Sequence, residues 1–333
     1  MSAPPLVVRV ENTREIAAVK AVAPLLGARC DPSGSYVLAG AQDNSLVRWK
    51  LGEKTADTLQ GHKSWVRALA FAGQTLYSGD WAGRLLAWNY RDAKPTVQAN
   101  LEAHRGWLRA LAVSPDGKIL ASCGNDRKVR LWSLPDLKPL HTLEGHNCHV
   151  YNVAFHPEGQ SLVSADLRGV LREWDLSRFA IKRSLDASVL YKYDQVYAAD
   201  IGGVRSLAFS PEGKLLACAG ISNVSNAFAG VGNPLVVLFD WATGKIQTLL
   251  RPKEAFQGTA WGVGFGPGGR ILGVAGGNGG MLYAWKPDES SAVFALKLPS
   301  NARDLSLHPD GRRFVVPFET GLLRLYDMAP KGT

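Results

Sequence analysis

The stretch Val153-Ala154-Phe155-His156-Pro157-Glu158-Gly159 is an apolar, strand-like run that ends at a proline-glycine turn, and the chain keeps returning to this phrase. Proline presets φ for a type I turn and glycine accepts the conformation that follows, so each copy marks a hairpin. The turns are Asp31-Pro32-Ser33-Gly34, Ser114-Pro115-Asp116-Gly117, His156-Pro157-Glu158-Gly159, Ser210-Pro211-Glu212-Gly213, Gly266-Pro267-Gly268-Gly269 and His308-Pro309-Asp310-Gly311. Their prolines are 83, 42, 54, 56 and 42 residues apart. The first interval spans two repeats; the unit between them starts at Gly61-His62 and runs to Phe71, with its hairpin shortened to Ala72-Gly73-Gln74.

Each unit closes on an aromatic residue in a short alternating strand: Trp49, Trp88, Trp132, Trp174, Phe239, Trp285 and Tyr326. Apolar runs roughly ten residues apart with turn residues between them read as all-β structure. Four strands in a unit of about 40 to 45 residues make one blade of a β-propeller. The expectation is an all-β, seven-bladed β-propeller with four antiparallel strands per blade, forming one domain over 1–333. Its blades fall near 21–60, 61–102, 103–144, 145–188, 200–251, 256–298 and 299–328, the last completed by 5–20. Free ends would leave two strand edges exposed, and edges invite aggregation. Arg14 to Val19 aligns with the outer strands of other units, such as Pro139 to Leu143, and is expected to complete the seventh blade. Leu6 to Val10 has no such assignment.

Composition is that of a globular protein: 333 residues, 46% hydrophobic and 20% charged. Met1 to Val10 lacks a basic leader, the apolar run Pro4 to Val8 is too short for a signal peptide, and no segment approaches the roughly 20 apolar residues of a membrane span. A soluble cytoplasmic protein with no membrane partner is expected. Cys30, Cys123, Cys148 and Cys218 form no Cys-x-x-Cys pair, and only Cys148, in a turn, is expected to be exposed. The net charge of +9 favours anionic partners, but no Lys/Arg run or groove-reading helix points to nucleic acid.

Glu144-Gly145-His146, Val153-Ala154-Phe155, Leu171-Arg172-Glu173-Trp174-Asp175, Gly61-His62 and Val129-Arg130-Leu131-Trp132 resemble the phrases of the WD-repeat family, over nearly the whole chain. The resemblance implies a structural tetrad of His, Ser, Asp and Trp within a blade. Only the third blade matches at all four places, with His104, Ser122, Asp126 and Trp132. The second and fourth keep His62, Ser78, Trp88 and His146, Ser164, Trp174 but carry Asp80 and Asp166 two positions early. The first lacks the histidine and the last three have mostly lost the set, so apolar packing is expected to hold them.

The resemblance also implies one face carrying the loops from each outer strand to the next inner strand and from second to third strands. Two insertions fall in these loops beside the fifth blade. One is Val189 to Gly203, with Tyr191, Lys192, Tyr193, Asp194 and Tyr197; the other is Ile221 to Pro234, with Asn223, Asn226 and Phe228. Aromatics there suit a partner-binding patch; a packed loop covering a blade edge is the other reading. The residue after the first apolar position of each inner strand is implied to ring the channel mouth on that face: Leu26, Arg67, Arg109, Tyr151, Arg205, Trp261 and Arg303, with Trp65, Trp107 and His149 just outside. Four arginines at one opening repel unless something anionic compensates them. Either a carboxylate or phosphate of a partner does so, or Asp80, Asp166, Asp200 or Glu319 does so internally. Arg48, Arg130, Arg172 and Arg324, before the closing aromatics, look like scaffold.

Nothing reads as catalytic. No Gly-x-Ser-x-Gly elbow occurs, His62, His104 and His146 belong to the tetrad, His156 and His308 sit in turns, and His141 and His149 fall on different parts of the repeat, so no metal set converges. Gly276 to Gly280 reads as a hairpin with no following helix or lysine, hence no phosphate loop. The sequence points to a non-catalytic scaffold, without cofactor, that binds a protein or peptide, acidic in character, at the rim; the alternative is an enzyme or sensor for a small anionic metabolite at the same place.

Overall fold

The computed structural model describes residues 8–226 and 231–330. Seven four-stranded antiparallel sheets follow one another along the chain. Their inner strands are Leu25–Cys30, Val66–Ala72, Leu108–Val113, Val150–Phe155, Ser206–Phe209, Gly258–Phe265 and Ser306–Leu307. In the first six sheets the chain runs outward through four consecutive strands; in the seventh, Arg14–Lys20 lies antiparallel to Leu322–Asp327, with Val19 opposite Leu323. No α-helix occurs among the described residues.

The proline-glycine phrases turn as their chemistry requires. In five of them the glycine amide donates to the carbonyl three residues back, as Gly159 does to His156 at 2.8 Å. Gly159 has φ +76°, a conformation L side chains rarely adopt. Asp31 and Ser114 secure their turns with side chains that accept backbone amides, Tyr36 N at 2.8 Å and Ile119 N at 2.9 Å.

Alternation along each strand gives every sheet two apolar faces, and these meet between blades. Seven buried clusters each draw on two neighbouring sheets: Tyr77, Leu85, Leu108 and Trp132 join the second blade to the third, and Val37, Trp49, Val315 and Leu325 join the first to the seventh. Fully buried leucines such as Leu108 and Leu120 contribute roughly 1.5–3 kcal/mol each relative to exposure. The seven closing aromatics are all buried. Cys148 is buried too, against expectation, and its thiol pKa is raised by burial.

The tetrad differs from expectation as well. In the third blade His104 bridges Ser122 Oγ at 2.8 Å and Asp126 at 2.9 Å, and the Trp132 indole N–H donates to the same Ser122 Oγ at 2.9 Å. The second and fourth blades complete the same network with their early aspartates, His62 to Asp80 and His146 to Asp166, both at 2.9 Å. A residue at the strand end and one in the following turn flank the same histidine nitrogen, because the turn doubles back over the strand. The early aspartate also caps that turn, Asp80 Oδ1 accepting Ala82 N and Arg84 N. The turn histidines bridge blades: His156 Nε2 donates to Gly213 O at 3.0 Å and His308 Nε2 to Gly34 O at 2.9 Å.

Candidate functional site

Five of the inner strands carry a register shift against their neighbours, between Leu25 and Gly27, Val66 and Ala68, Leu108 and Ala110, Val150 and Asn152, and Ala260 and Gly262. The extra residues are Leu26, Arg67, Arg109, Tyr151 and Trp261. A bulged residue leaves the ladder and its side chain is re-aimed. Here the five residues are turned into the central channel. Arg205 and Arg303 hold the equivalent place ahead of the fifth and seventh inner strands, their amides donating to Ala219 O and Pro317 O.

All seven side chains line one cavity of about 200 Å³, together with Gln42, Trp81 and Trp107. Cations and rings alternate around it. The Arg109 guanidinium lies 4.2 Å from the ring centres of both Trp107 and Tyr151, and Arg205 lies 4.8 Å from Tyr151 and 5.3 Å from Trp261. Arg67 and Arg303 approach Trp261 at 5.5 and 5.2 Å. A cation over a ring face is attracted by it, about 0.5–2 kcal/mol apiece, which offsets part of each guanidinium's desolvation.

Charge balance is uneven. Arg303 pairs with Glu319 at 2.9 Å. Arg67 donates to Leu26 O and Arg109 to Asn125 Oδ1, and neither these two nor Arg205 forms an ion pair among the described residues. Of the four acids expected to compensate the rim, only Glu319 does so. Asp80 and Asp166 are held by histidines, and Asp200 by Arg168 and the Tyr191 hydroxyl. The acid the sequence reading missed is buried Asp304, which pairs with Arg29 at 2.5 Å and exerts a favourable field on Arg67. Burial, with repulsion from Arg205 among others, depresses Arg67 and Arg109 to about 10, so both stay charged at neutral pH.

Outside the rim, Trp65 packs on Trp81 at 4.6 Å and Trp81 stacks on Trp107 at 3.7 Å. Trp81 was not singled out from sequence; its signal was a tryptophan directly after the displaced Asp80. His149 is half-buried, and burial, then Arg109 and Arg127, lower its pKa. The first insertion forms a hairpin, Tyr191–Asp194 against Ala199–Gly202, and the second extends the fifth blade's strands to Leu215–Asn226 and Val231–Asp240. Lys192 Nζ donates to Val224 O at 2.7 Å, so the two lie side by side. Val196 at the hairpin tip is 85% exposed, and Tyr193 and Tyr197 are about half exposed. Phe228 lies outside the described residues, as do Leu6 and Val7.

Arg48, Arg130, Arg172 and Arg324 bond within their own surroundings, to Asp57, Asp126, Ser184 and Glu15. His141 stacks on Phe179, away from His149. Gly276 pairs with Gly280 across a hairpin.

A ring of seven antiparallel blades around a lined channel defines a β-propeller. The family described as "WD domain, G-beta repeat" matches this chain over residues 53–89, 95–133, 137–175 and 195–223. Each of the first three segments starts by the outer strand of one blade and ends with the third strand of the next. With the seven-bladed ring, these matches place the chain in the WD-repeat propeller family. Among curated proteins, "Small ribosomal subunit protein RACK1y" of Oryza sativa subsp. japonica is similar, 31% identical over 47% of this chain and 45% of that protein. "Apoptotic protease-activating factor 1" of Rattus norvegicus is 26% identical over 56% of this chain and 15% of its own length; the Homo sapiens protein is 27% identical over 55% and 14%. The match thus spans under half the length of these relatives.

Proposed function

We propose that this chain acts as a non-catalytic protein-interaction scaffold, 1–333 working as one propeller unit, that captures an acidic peptide or protein segment at the channel rim. The observation that carries the reading is that Arg67, Arg109 and Arg205 share one mouth and none of the three is ion-paired among the described residues, while aromatic rings lie beside them. Guanidinium forks match carboxylate or phosphate oxygens, and the tryptophans and tyrosines beside them are the side chains that dominate protein interfaces. Trp65, Trp81, Trp107 and His149 extend the surface on one side, and Tyr191, Tyr193 and Tyr197 of the hairpin enlarge it beyond the fourth blade. Family membership and the similarity to RACK1y support the scaffold reading. A mouth of about 200 Å³ is smaller than the roughly 300–1,000 Å³ of ordinary ligand pockets. It suits an inserted side chain better than a whole metabolite.

The test is binding of fluorescent Glu/Asp-rich peptides to wild type and to the Arg67→Glu, Arg109→Glu double variant. The expected result is a loss of at least about tenfold in affinity with the fold retained. Equal binding by a folded double variant, or no binding by wild type, would defeat the reading.

A further inference from the structure

Farther along the inner strands, past the rim, the channel holds a second cavity of about 270 Å³, whose lining includes Arg29, Arg67, Arg109, Arg205, Asn152 and Asp304. Arg67, Arg109 and Arg205 belong to both cavities, so a layer of guanidiniums separates the outer mouth from this inner chamber. Four guanidiniums face a single carboxylate. Asp304 is already engaged with Arg29 at 2.5 Å, Leu305 N at 2.9 Å and Ala28 N at 3.3 Å.

Hydrogen bonding is as unbalanced as charge. A guanidinium carries five N–H donors in its plane. Arg67 spends one on Leu26 O at 3.2 Å and Arg109 one on Asn125 Oδ1 at 2.8 Å. The Arg205 Nε is buried with no partner among the described residues. The rings of Trp107, Tyr151 and Trp261 beside these groups accept no conventional hydrogen bond from them, so most of the N–H donors are left for another acceptor. Like charges held this close in a poorly solvated channel need a counter-charge, and fork-shaped donors suit tetrahedral oxygens better than a spherical ion.

We propose that the inner chamber binds one small inorganic oxyanion of the phosphate or sulfate class, held on the edges of Arg67, Arg109 and Arg205. The ion screens the three cations from one another and acts as a structural element of the channel. This site shares Arg67, Arg109 and Arg205 with the partner reading but takes its ligand in the inner chamber, whereas the partner reading concerns the outer mouth.

Isothermal titration of the full chain with inorganic phosphate, in chloride buffer at fixed ionic strength, tests it. Saturable binding of one phosphate per chain is expected, with sulfate competing. Arg205→Gln should weaken it by about tenfold or more, the loss of a charged hydrogen-bond donor. Because that variant removes a repelling charge, its unfolding midpoint in chloride should not drop. Should Arg205→Gln fail to fold, Arg109→Gln and sulfate competition on wild type carry the same test. Absence of saturable phosphate binding, or binding undiminished in both variants, overturns the proposal. Acidic peptides that bind where phosphate does not would overturn this site alone; phosphate binding without peptide binding would overturn the partner reading alone.

Discussion

Asp80 Oδ2 lies 2.9 Å from His62 Nδ1, although Asp80 follows Ser78 by two residues where Asp126 follows Ser122 by four. One carboxylate therefore both orients a buried histidine and caps the next turn through Ala82 N and Arg84 N. Asp80→Ala strips three donors of their acceptor in a buried setting and should cost about 3 kcal/mol. Denaturant unfolding measures it; a change below about 0.5 kcal/mol would show that the network does not hold the blade.

The seam between the seventh and first blades rests partly on His308 Nε2 donating to Gly34 O. Gly34 has φ +69°, and a Cβ there would come within 2.5 Å of the His308 ring. Gly34→Ala should destabilise by about 1–3 kcal/mol, combining backbone strain with displacement of the imidazole. Gly213→Ala, facing His156 in the same way, should behave alike. A thermal midpoint equal to wild type in both would contradict the latch.

Acid should unfold this protein in two stages. Burial lowers the His104 pKa, so the unfolded chain takes up its proton first and stability declines once pH falls below about 6.5. For Asp31, burial alone would raise the pKa, but hydrogen bonds from Ser33, Tyr36 N, Arg91 and Tyr90 outweigh it and bring it to about 2 from 3.8. That contribution, about 2 kcal/mol, is complete above about pH 4 and is lost as pH falls toward 2. Asp126 and Asp310 are also depressed and act in the same direction. Asp31→Asn should flatten the lower limb of a stability-versus-pH curve; an unchanged limb would remove Asp31 from the account.

Trp81 stacks on Trp107 while Trp107 carries Arg109, which links the outer aromatic cluster to the rim. If an acidic partner docks there, Trp81→Ala should weaken peptide affinity by about tenfold or more, the range of interface tryptophans. Affinity within twofold of wild type would remove Trp81 from the docking surface.

The repeat itself was legible because its signals are local. Six proline-glycine turns and seven closing aromatics need no knowledge of distant residues. The same periodicity, once the WD-repeat resemblance set the register, picked out all seven rim residues from Leu26 to Arg303. Other features were not local. Asp80 and Asp166 looked misplaced because spacing along the chain does not report that a turn folds back over its strand. Cys148 looked exposed because a turn position does not report what the rest of the fold packs around it. Asp304 escaped notice since its partner Arg29 is 275 residues away.

By itself the sequence determined how many blades form and where each hairpin turns, since these follow from residues within a few positions of one another; the rim position of each inner strand came from the WD-repeat resemblance. Only the tertiary structure decided which charges meet. Circular closure brings side chains from all seven units to one channel, and there the balance of four guanidiniums against Asp304 depends on distances that no single repeat contains.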